Sequence, residues 1–115
     1  MKLEKFISYD SYAKLNSYDK LYLSAGAVKQ YDLAENNYVE LYYSESKNGI
    51  GLMPKNERTQ NTLSLHFVSN GTAMSVSLMS FIRYYNLNWK CSDEFLVEWN
   101  DNHQMLILKY GGQND

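Results

Sequence analysis

An internal repeat constrains this chain more than any other feature of its sequence. Two segments, 20–31 and 73–84, begin 53 residues apart and share the pattern apolar-x-apolar-Ser-x-x-small-apolar-x-x-Tyr. A repeat at this spacing indicates one supersecondary unit that occurs twice, and a lone unit of this size cannot bury its apolar face. We therefore expect two units that pair about a pseudo-two-fold axis and share one core.

Each copy continues in the same way after the shared pattern. A leucine follows (Leu33 or Leu87), and then two apolar segments separated by a polar turn. The apolar segments are 38–43 and 50–53 in the first copy, and 95–99 and 105–108 in the second. Alternating apolar residues predict strands, and apolar residues at three-to-four spacing predict a helix face. The predicted fold class is α+β, mostly β: a single barrel-like domain, 1–115, of two pseudo-symmetric β-α-β-β units, each with one short helix, the internal repeat covering about 6–54 and 62–110.

The start and the buried face of each helix can be predicted from the repeat. Ser24 and Ser77 are placed as N-caps, because a serine hydroxyl accepts hydrogen bonds from the first free N–H groups of a helix. Apolar residues at helical spacing then predict the buried face of each helix. These residues are Val28 and Tyr31 in the first helix, and Phe81, Tyr84 and Tyr85 in the second.

Turn residues predict where the strands reverse. Asn48-Gly49 predicts a type I′ hairpin turn, which requires positive φ at both of its central positions. Asn70-Gly71 predicts a second hairpin, between 63–68 and 72–78. A strand pair around 6–15 is the expected counterpart of that hairpin in the first unit.

Charge and length limit the function classes. The chain of 115 residues has a formal net charge of −2; residues 1–60 hold eight basic and eight acidic side chains, against three and five in 61–115. Because phosphate contacts supply most of the affinity for duplex DNA, any basic surface must come mainly from the first half. The single cysteine cannot form an internal disulfide, the first five residues are too charged for a signal peptide, and no apolar run is long enough to span a membrane. A cytoplasmic location without membrane association is expected.

The first unit resembles the AbrB/MazE-type swapped-hairpin family. The resemblance lies in Asp19–Ser24, the helix to Leu33, and 35–53 with its Tyr38-Val39-Glu40-Leu41 strand. In that family two chains each supply one unit and interleave into a barrel, so this chain looks like a fused, cradle-loop barrel version. Ser24 stands where the family usually has proline. The chain also resembles uncharacterised bacterial, archaeal and mobile-element proteins, through Val39–Tyr43, Ile50–Pro54 and a later Ser-x-x-Ser-Phe helix that ends in Tyr-Tyr-Asn-Leu.

The AbrB-like resemblance implies a small, non-enzymatic DNA-binding regulator. The basic residues near the matching helix positions are Lys14, Lys20 and Lys29, with Arg83 in the second helix, and these four are the candidate phosphate contacts. Aromatic residues interleaved with lysines can also stack on single-stranded bases. One such cluster occurs, and a strand surface of tyrosines solvated by lysines explains it equally well: Tyr9, Tyr12, Lys14, Tyr18, Lys20 and Tyr22.

A second surface supports a different class of function. The second half holds an acidic patch with an aromatic residue beside it: Asp93, Glu94, Glu98, Trp99 and Asp101. Aromatic anchors with a polar rim are common at protein interfaces. The alternative is therefore a protein-binding module, antitoxin-like or a phage-type inhibitor, that docks on a basic protein partner; an ordinary charged hairpin explains the same residues. Homodimerisation is compatible with either function.

The sequence contains no pattern that indicates a catalytic or a metal-binding site. His66, His103 and Cys91 have no metal-ligand spacing, and Cys91 is expected to be partly buried in the loop before the last hairpin. Glu45-Ser46-Lys47 matches the Glu-x-Lys of metal-dependent nucleases, but it runs into the Asn48-Gly49 turn. We expect no enzymatic activity, no metal and no cofactor.

Overall fold

The computed structural model describes residues 3, 11–68 and 71–112. These residues form nine strands, a short 3-10 turn (Leu33–Glu35) and two short α-helices, which confirms a mostly-β chain. The elements are β1 (Ala13–Leu15), β2 (Lys20–Leu23), α1 (Ala25–Gln30), β3 (Tyr38–Ser44), β4 (Gly49–Lys55), β5 (Leu63–Ser64), β6 (His66–Val68), β7 (Ala73–Ser77), α2 (Met79–Tyr84), β8 (Glu94–Asn100) and β9 (Met105–Gly112). Of the strand pair predicted around residues 6–15, β1 is found, and residues 4–10 lie outside the described residues.

The nine strands form one antiparallel sheet that nearly closes on itself. The strand order is β5-β3-β4-β9-β8-β1-β2-β7-β6. The two outermost strands, β5 and β6, are consecutive in the chain and are separated by Leu65 alone. Leu65 is buried, and its N–H donates to the carbonyl oxygen of Asn37 at 2.8 Å. The predicted barrel-like architecture is therefore confirmed.

The core fills the inside of this curved sheet. Alternate residues of the central strands point inward and are almost completely buried; they include Leu15, Leu21, Leu23, Ile50, Leu52, Leu106 and Leu108. Each such side chain contributes about 1.5–3 kcal/mol through the apolar surface it removes from water. The inward residues come from strands of both halves of the chain, so neither half encloses this core alone.

The two helices begin differently, although their sequences match. The Ser24 hydroxyl accepts from the N–H of Ala27 at 3.2 Å, so the predicted cap of α1 is confirmed. The predicted cap at Ser77 is wrong, because Leu78 is the N-cap residue of α2; the Ser77 hydroxyl, one residue earlier, accepts only a long hydrogen bond from the Met79 N–H. The Leu78 N–H still donates to the carbonyl of Asp19, so the pairing of β7 with β2 continues past Ser77.

Two burial patterns also differ from the prediction. In α2, Phe81 and Ile82 are buried, whereas Tyr84 is 82% exposed, because it follows Ile82 by two residues and so lies on the opposite side of the helix. In β7, the four consecutive residues Ala73–Val76 are buried, although alternation was predicted. The strand lies between β2 and β6, and α1 packs against it, so both of its faces are covered.

The turn between β3 and β4 is longer than a type I′ turn. It covers Glu45–Asn48, and Asn48 alone adopts positive φ (48°), while Gly49 is already the first residue of β4. A Cβ atom at Gly49 would lie 2.6 Å from the carbonyl oxygen of Leu108 in β9. The glycine is therefore needed for the close approach of two strands, not for the turn. The predicted hairpin between 63–68 and 72–78 is confirmed by the pairing of β6 with β7; Gly71 has a φ of 81°, and Asn70 lies outside the described residues.

Gly49→Ala should lower the free energy of unfolding by about 1–3 kcal/mol, because the new methyl group meets rigid backbone. The matched control is Gly51→Ala on the same face of β4. There a Cβ would lie 2.5 Å from the Met105 sulfur, the end of a flexible side chain that can move aside. Urea denaturation of both variants measures the difference, and an equal loss would contradict this account.

Ser24→Ala should lower the free energy of unfolding by about 2 kcal/mol, because the Ser24 hydroxyl accepts from the N–H groups of both Ala27 and Tyr12. Ser77→Ala, at the matching position of the repeat, should cost less than about 0.5 kcal/mol. The Ser77 hydroxyl accepts a long hydrogen bond, 3.4 Å, from the Met79 N–H. Thermal or urea unfolding compares the two; similar losses would show that the N-cap does not stabilise α1.

Candidate functional site

The outward face of β1 and β2 carries two of the predicted DNA-contacting residues. In the register of the pair, Lys14 lies opposite Tyr22, and Lys20 lies two residues before Tyr22 on the same strand. Because side chains alternate along a strand, all three point away from the buried leucines on the other face. Within the described part of the chain, neither the Lys14 nor the Lys20 ammonium group has an ion-pair partner.

Tyrosine rings lie beside these lysines. The rings of Tyr12 and Tyr22 have centroids 6.0 Å apart at an angle of 37°. Tyr12 is 40% exposed, and Tyr18, in the turn between β1 and β2, is 74% exposed. A shallow depression of about 300 Å³ opens between Tyr12, Lys14 and Tyr22. We call this face, defined by Tyr12, Lys14, Tyr18, Lys20 and Tyr22, the tyrosine–lysine face. Tyr9, the remaining member of the predicted cluster, lies outside the described residues.

Hydrogen bonds to the side chains of Asn16 and Ser24 hold the backbone beneath the tyrosine–lysine face in place. The Asn16 side-chain oxygen accepts from the N–H of Tyr18 at 3.1 Å and of Lys20 at 3.0 Å, which sets the turn between the strands. At the other end, the Ser24 hydroxyl accepts from the Tyr12 N–H at 2.9 Å while it caps α1. The strands and the helix are therefore held in one arrangement beneath the tyrosines and lysines.

Lys29 and Arg83, the other two predicted contacts, lie in the last turns of α1 and α2 and are exposed. The Ser11 hydroxyl donates to the side-chain oxygen of Gln30, so the end of α1 lies beside the start of β1, next to the tyrosine–lysine face. The end of α2 lies elsewhere, because Tyr85 packs on Tyr43 of β3 with ring centroids 4.3 Å apart. The fold thus places the last turn of α1, which carries Lys29, beside the Ser11–Tyr12 end of the tyrosine–lysine face, and carries Arg83 towards a different part of the sheet.

Only some residues of the predicted acidic patch lie on the surface. Asp93 is completely buried, so its predicted place on an exposed patch is wrong. Its carboxylate accepts from the Lys90 N–H at 2.7 Å and from the Tyr110 hydroxyl, which explains why it turns inward. Cys91, two residues earlier, is exposed where partial burial was predicted.

The Trp99 side chain also packs partly in the interior. Its ring is half-buried and stacks on Tyr31 at the end of α1, with centroids 6.1 Å apart, while its indole N–H donates to the Asp101 carboxylate at 2.9 Å. Burial, and after it the charge of Glu98, raises the pKa of Tyr31. Of the five residues predicted for this patch, Glu98 and Asp101 are exposed and Glu94 is half-buried. Leu96, which was not predicted, lies between the two glutamates and is 70% exposed.

The two histidines and the Glu45-Ser46-Lys47 segment lie on the surface. In the described ranges, no group of three or more histidine, cysteine, aspartate or glutamate residues could hold a metal ion. His66 and His103 are both exposed, as predicted, and Nδ1 of His103 lies 3.2 Å from the side-chain oxygen of Asn100. Glu45 and Lys47 are exposed residues of the β3–β4 turn.

Sequence reasoning missed one surface, a groove on the outward face of β3, β4 and β9. It has a volume of about 550 Å³, and its apolar lining includes Tyr42, Met53, Met105 and Ile107. Gly49 and Gly51 occupy the outward positions of β4, and the Met105 side chain of β9 covers Gly51. The alternation Gly49-x-Gly51-x-Met53 was the signal that could have revealed it, since glycine weakens a strand unless something must come close to its backbone.

Stability at alkaline pH should depend on Tyr110. Burial, together with its hydrogen bond to Asp93, raises the pKa of Tyr110 from 10.0 to about 12. The unfolded chain therefore loses this proton first, so the stability that Tyr110 adds is complete below pH 10 and falls as the pH rises to about 12. The Tyr110→Phe variant has no hydroxyl at this position, so its stability cannot fall through this titration. The difference in unfolding free energy between wild type and Tyr110→Phe should thus shrink across this window, and a constant difference would contradict the assignment.

The chain has no match among known proteins by which a family could be assigned: no protein-family profile, no curated protein and no solved structure matches it. Among the described residues, no helix is long and apolar enough to cross a membrane.

Proposed function

We propose that this protein is a small DNA-binding regulator that contacts DNA through the tyrosine–lysine face. The observation that carries the proposal is the placement of Lys14 and Lys20, without ion-pair partners in the described part of the chain, beside the exposed rings of Tyr12 and Tyr18. Lysine ammonium groups bind phosphates, and tyrosine rings stack on unpaired bases. Lys29 extends the phosphate contacts along α1. Arg83 contributes only to a DNA segment long enough to reach α2.

We further propose that the chain consists of two equivalent units, as in a fused AbrB-like swapped-hairpin barrel. The strand order supports this arrangement. It is unchanged when β1 is exchanged with the β5–β6 segment, β2 with β7, β3 with β8, and β4 with β9. Swapping is also supported, because β1 pairs with β8 of the second unit and β5 pairs with β3 of the first.

Register and backbone conformation support the same symmetry. Tyr22 and Ser75 hold equivalent positions in the 53-residue repeat and lie directly opposite each other in the β2–β7 pair, where a two-fold axis would pass. Left-handed residues also recur at matching places. Asp32 and Asn86 follow the ends of α1 and α2, and Asn48 and Gln104 end the turns of the two long hairpins.

The negative net charge favours a local contact over an extended one. With a formal charge of −2 for the whole chain, a DNA backbone is attracted only where basic residues concentrate. Glu94 lies opposite Lys14 on β8 and limits the basic surface on that side. We therefore expect few phosphate contacts, together with stacking on exposed bases, and so stronger binding to single-stranded or distorted DNA than to regular duplex.

A protein-binding role is the second candidate, and the exposure of Leu96 favours it. An apolar side chain that is 70% exposed between two glutamates on β8 suits a basic partner with an apolar contact. In this alternative Leu96, Glu98 and Asp101 form the surface, because Asp93 is buried and Trp99 packs on Tyr31.

Fluorescence anisotropy with labelled single-stranded and duplex oligonucleotides tests the DNA-binding proposal. We expect binding that weakens as salt increases, and an affinity reduced at least about tenfold in Lys14→Glu/Lys20→Glu. The matched control is Lys55→Glu/Arg58→Glu, which makes the same change in net charge away from the tyrosine–lysine face and should bind like wild type.

Loss of a tyrosine ring should affect the two kinds of DNA differently. Tyr18→Ala should weaken binding to single strands by about 1–3 kcal/mol and leave binding to duplex nearly unchanged. If wild type binds neither oligonucleotide at low salt, or if both charge variants weaken binding equally, the proposal is wrong and Leu96 becomes the place to seek a partner.

A further inference from the structure

We propose that the groove on the outward face of β3, β4 and β9 binds a small amphipathic anion. The apolar body of the ligand lies against Met53, Met105 and Ile107, and its carboxylate lies between Lys47 and Lys109. The site is separate from the tyrosine–lysine face, and the proposal does not depend on DNA binding.

The floor of the groove is β4 together with the Met105 side chain. Gly49 lies opposite Lys109, and Gly51 opposite Ile107, in the β4–β9 pair, while Tyr42 of β3 lies on the other side of Gly51. Gly49 and Gly51 are buried, and a Cβ at Gly51 would lie 2.5 Å from the Met105 sulfur and 3.4 Å from the Tyr42 Cβ. The Met105 side chain therefore covers Gly51 and forms part of the apolar lining of the groove.

Size and lining fit a small molecule. The groove holds about 550 Å³, within the roughly 300–1,000 Å³ that small-ligand sites occupy. From Gly49 to Met53 it is about 13 Å long, at about 3.3 Å per strand residue. Met53 and Met105 have flexible thioether side chains that adapt to the shape of an apolar ligand.

The charges at the two ends of the groove differ, and this sets the class and orientation of the ligand. Lys47, in the β3–β4 turn, and Lys109, opposite Gly49, lie at one end, and in the described part of the chain neither has an ion-pair partner. At the other end, the Glu40 carboxylate accepts from the Tyr42 hydroxyl at 3.0 Å and lies 3.9 Å from the Lys55 ammonium group. An anionic head group is therefore attracted to the lysine end, and is attracted less to the other end, where the charges of Glu40 and Lys55 offset each other.

These charges also argue against a cationic or purely apolar occupant. Burying two lysine ammonium groups beneath apolar atoms, with no counter-charge, is unfavourable. A carboxylate supplies that charge and accepts charge-assisted hydrogen bonds from both amines. A fatty acid of medium chain length and an aromatic carboxylic acid both combine an apolar body with a carboxylate. Comparing the affinities of the groove for the two shows which kind of ligand it prefers.

Methionine-methyl NMR provides a direct test, with decanoate and naphthoate as probes. The chain has five methionines, and Met53 and Met105 line the groove. Met74 is completely buried in the core, and Met79 is exposed on α2, so these two serve as internal controls. Titration should shift the Met53 and Met105 methyl signals in a saturable manner and leave those of Met74 and Met79 in place. Decyltrimethylammonium, with the same chain and the opposite charge, should bind at least about tenfold more weakly.

Three variants locate the binding site. Lys47→Gln/Lys109→Gln should weaken decanoate binding at least about tenfold, and Gly51→Val should weaken it similarly by displacing the Met105 side chain that lines the groove. Arg58→Glu/Lys90→Glu, whose residues do not line the groove, should bind as wild type does. The Met74 methyl signal reports whether each variant keeps its core.

Three outcomes would overturn the proposal. The first is no shift at Met53 and Met105 at saturating probe, and the second is equal affinity for decanoate and decyltrimethylammonium. The third is a protein dimer, seen by sedimentation, that dissociates as decanoate is added, because a second copy of the chain would then be the natural occupant.

Discussion

The whole fold depends on one short stretch of chain that pairs with both ends of the sheet. Leu63–Ser64 pairs with β3, and His66–Val68 pairs with β7. Leu65 between them is buried, and its N–H donates to Asn37. A curved sheet with open edges would expose unpaired backbone groups, whereas here the two edges belong to consecutive residues. Closure encloses the leucines of both halves and leaves only outward-facing residues for function.

How much of this could be predicted depended on whether the signal was local. The Ser24 cap and the β6–β7 hairpin were predicted correctly because cap and turn chemistry act within a few residues. The cap predicted at Ser77 was wrong because pairing with β2 continues past Ser77, and the burial predicted for Tyr84 was wrong because the core side of α2 is the side of Phe81 and Ile82. Gly49 is explained by the carbonyl of Leu108, which is 59 positions away along the chain (108 minus 49), and no local pattern contains that contact.

The candidate site residues, too, could be predicted only where the signal was local in the sequence. Lys14 and Lys20 could be placed on one face because alternation along a strand is a local property. Asp93 looked like a surface residue by composition, yet its hydrogen bonds to the Lys90 N–H and the Tyr110 hydroxyl hold it in the interior. The groove escaped prediction because it needs β4 beside β9, a pairing between distant segments. The two candidate surfaces are kept apart by β8, whose glutamates separate the lysines of β1 and β2 from Lys109.

The pairing of Gly51 with Ile107 has a consequence for how such a barrel can diversify. In a dimer of identical chains, every substitution is made twice, and residues that meet across the two-fold axis must change together. A single chain that holds both halves is free of that restriction. In the two-unit arrangement proposed above, Gly51 of β4 and Ile107 of β9 hold equivalent positions, so one unit carries glycine where the other carries isoleucine. Such an arrangement would let the two units differ in shape at the same place in the fold.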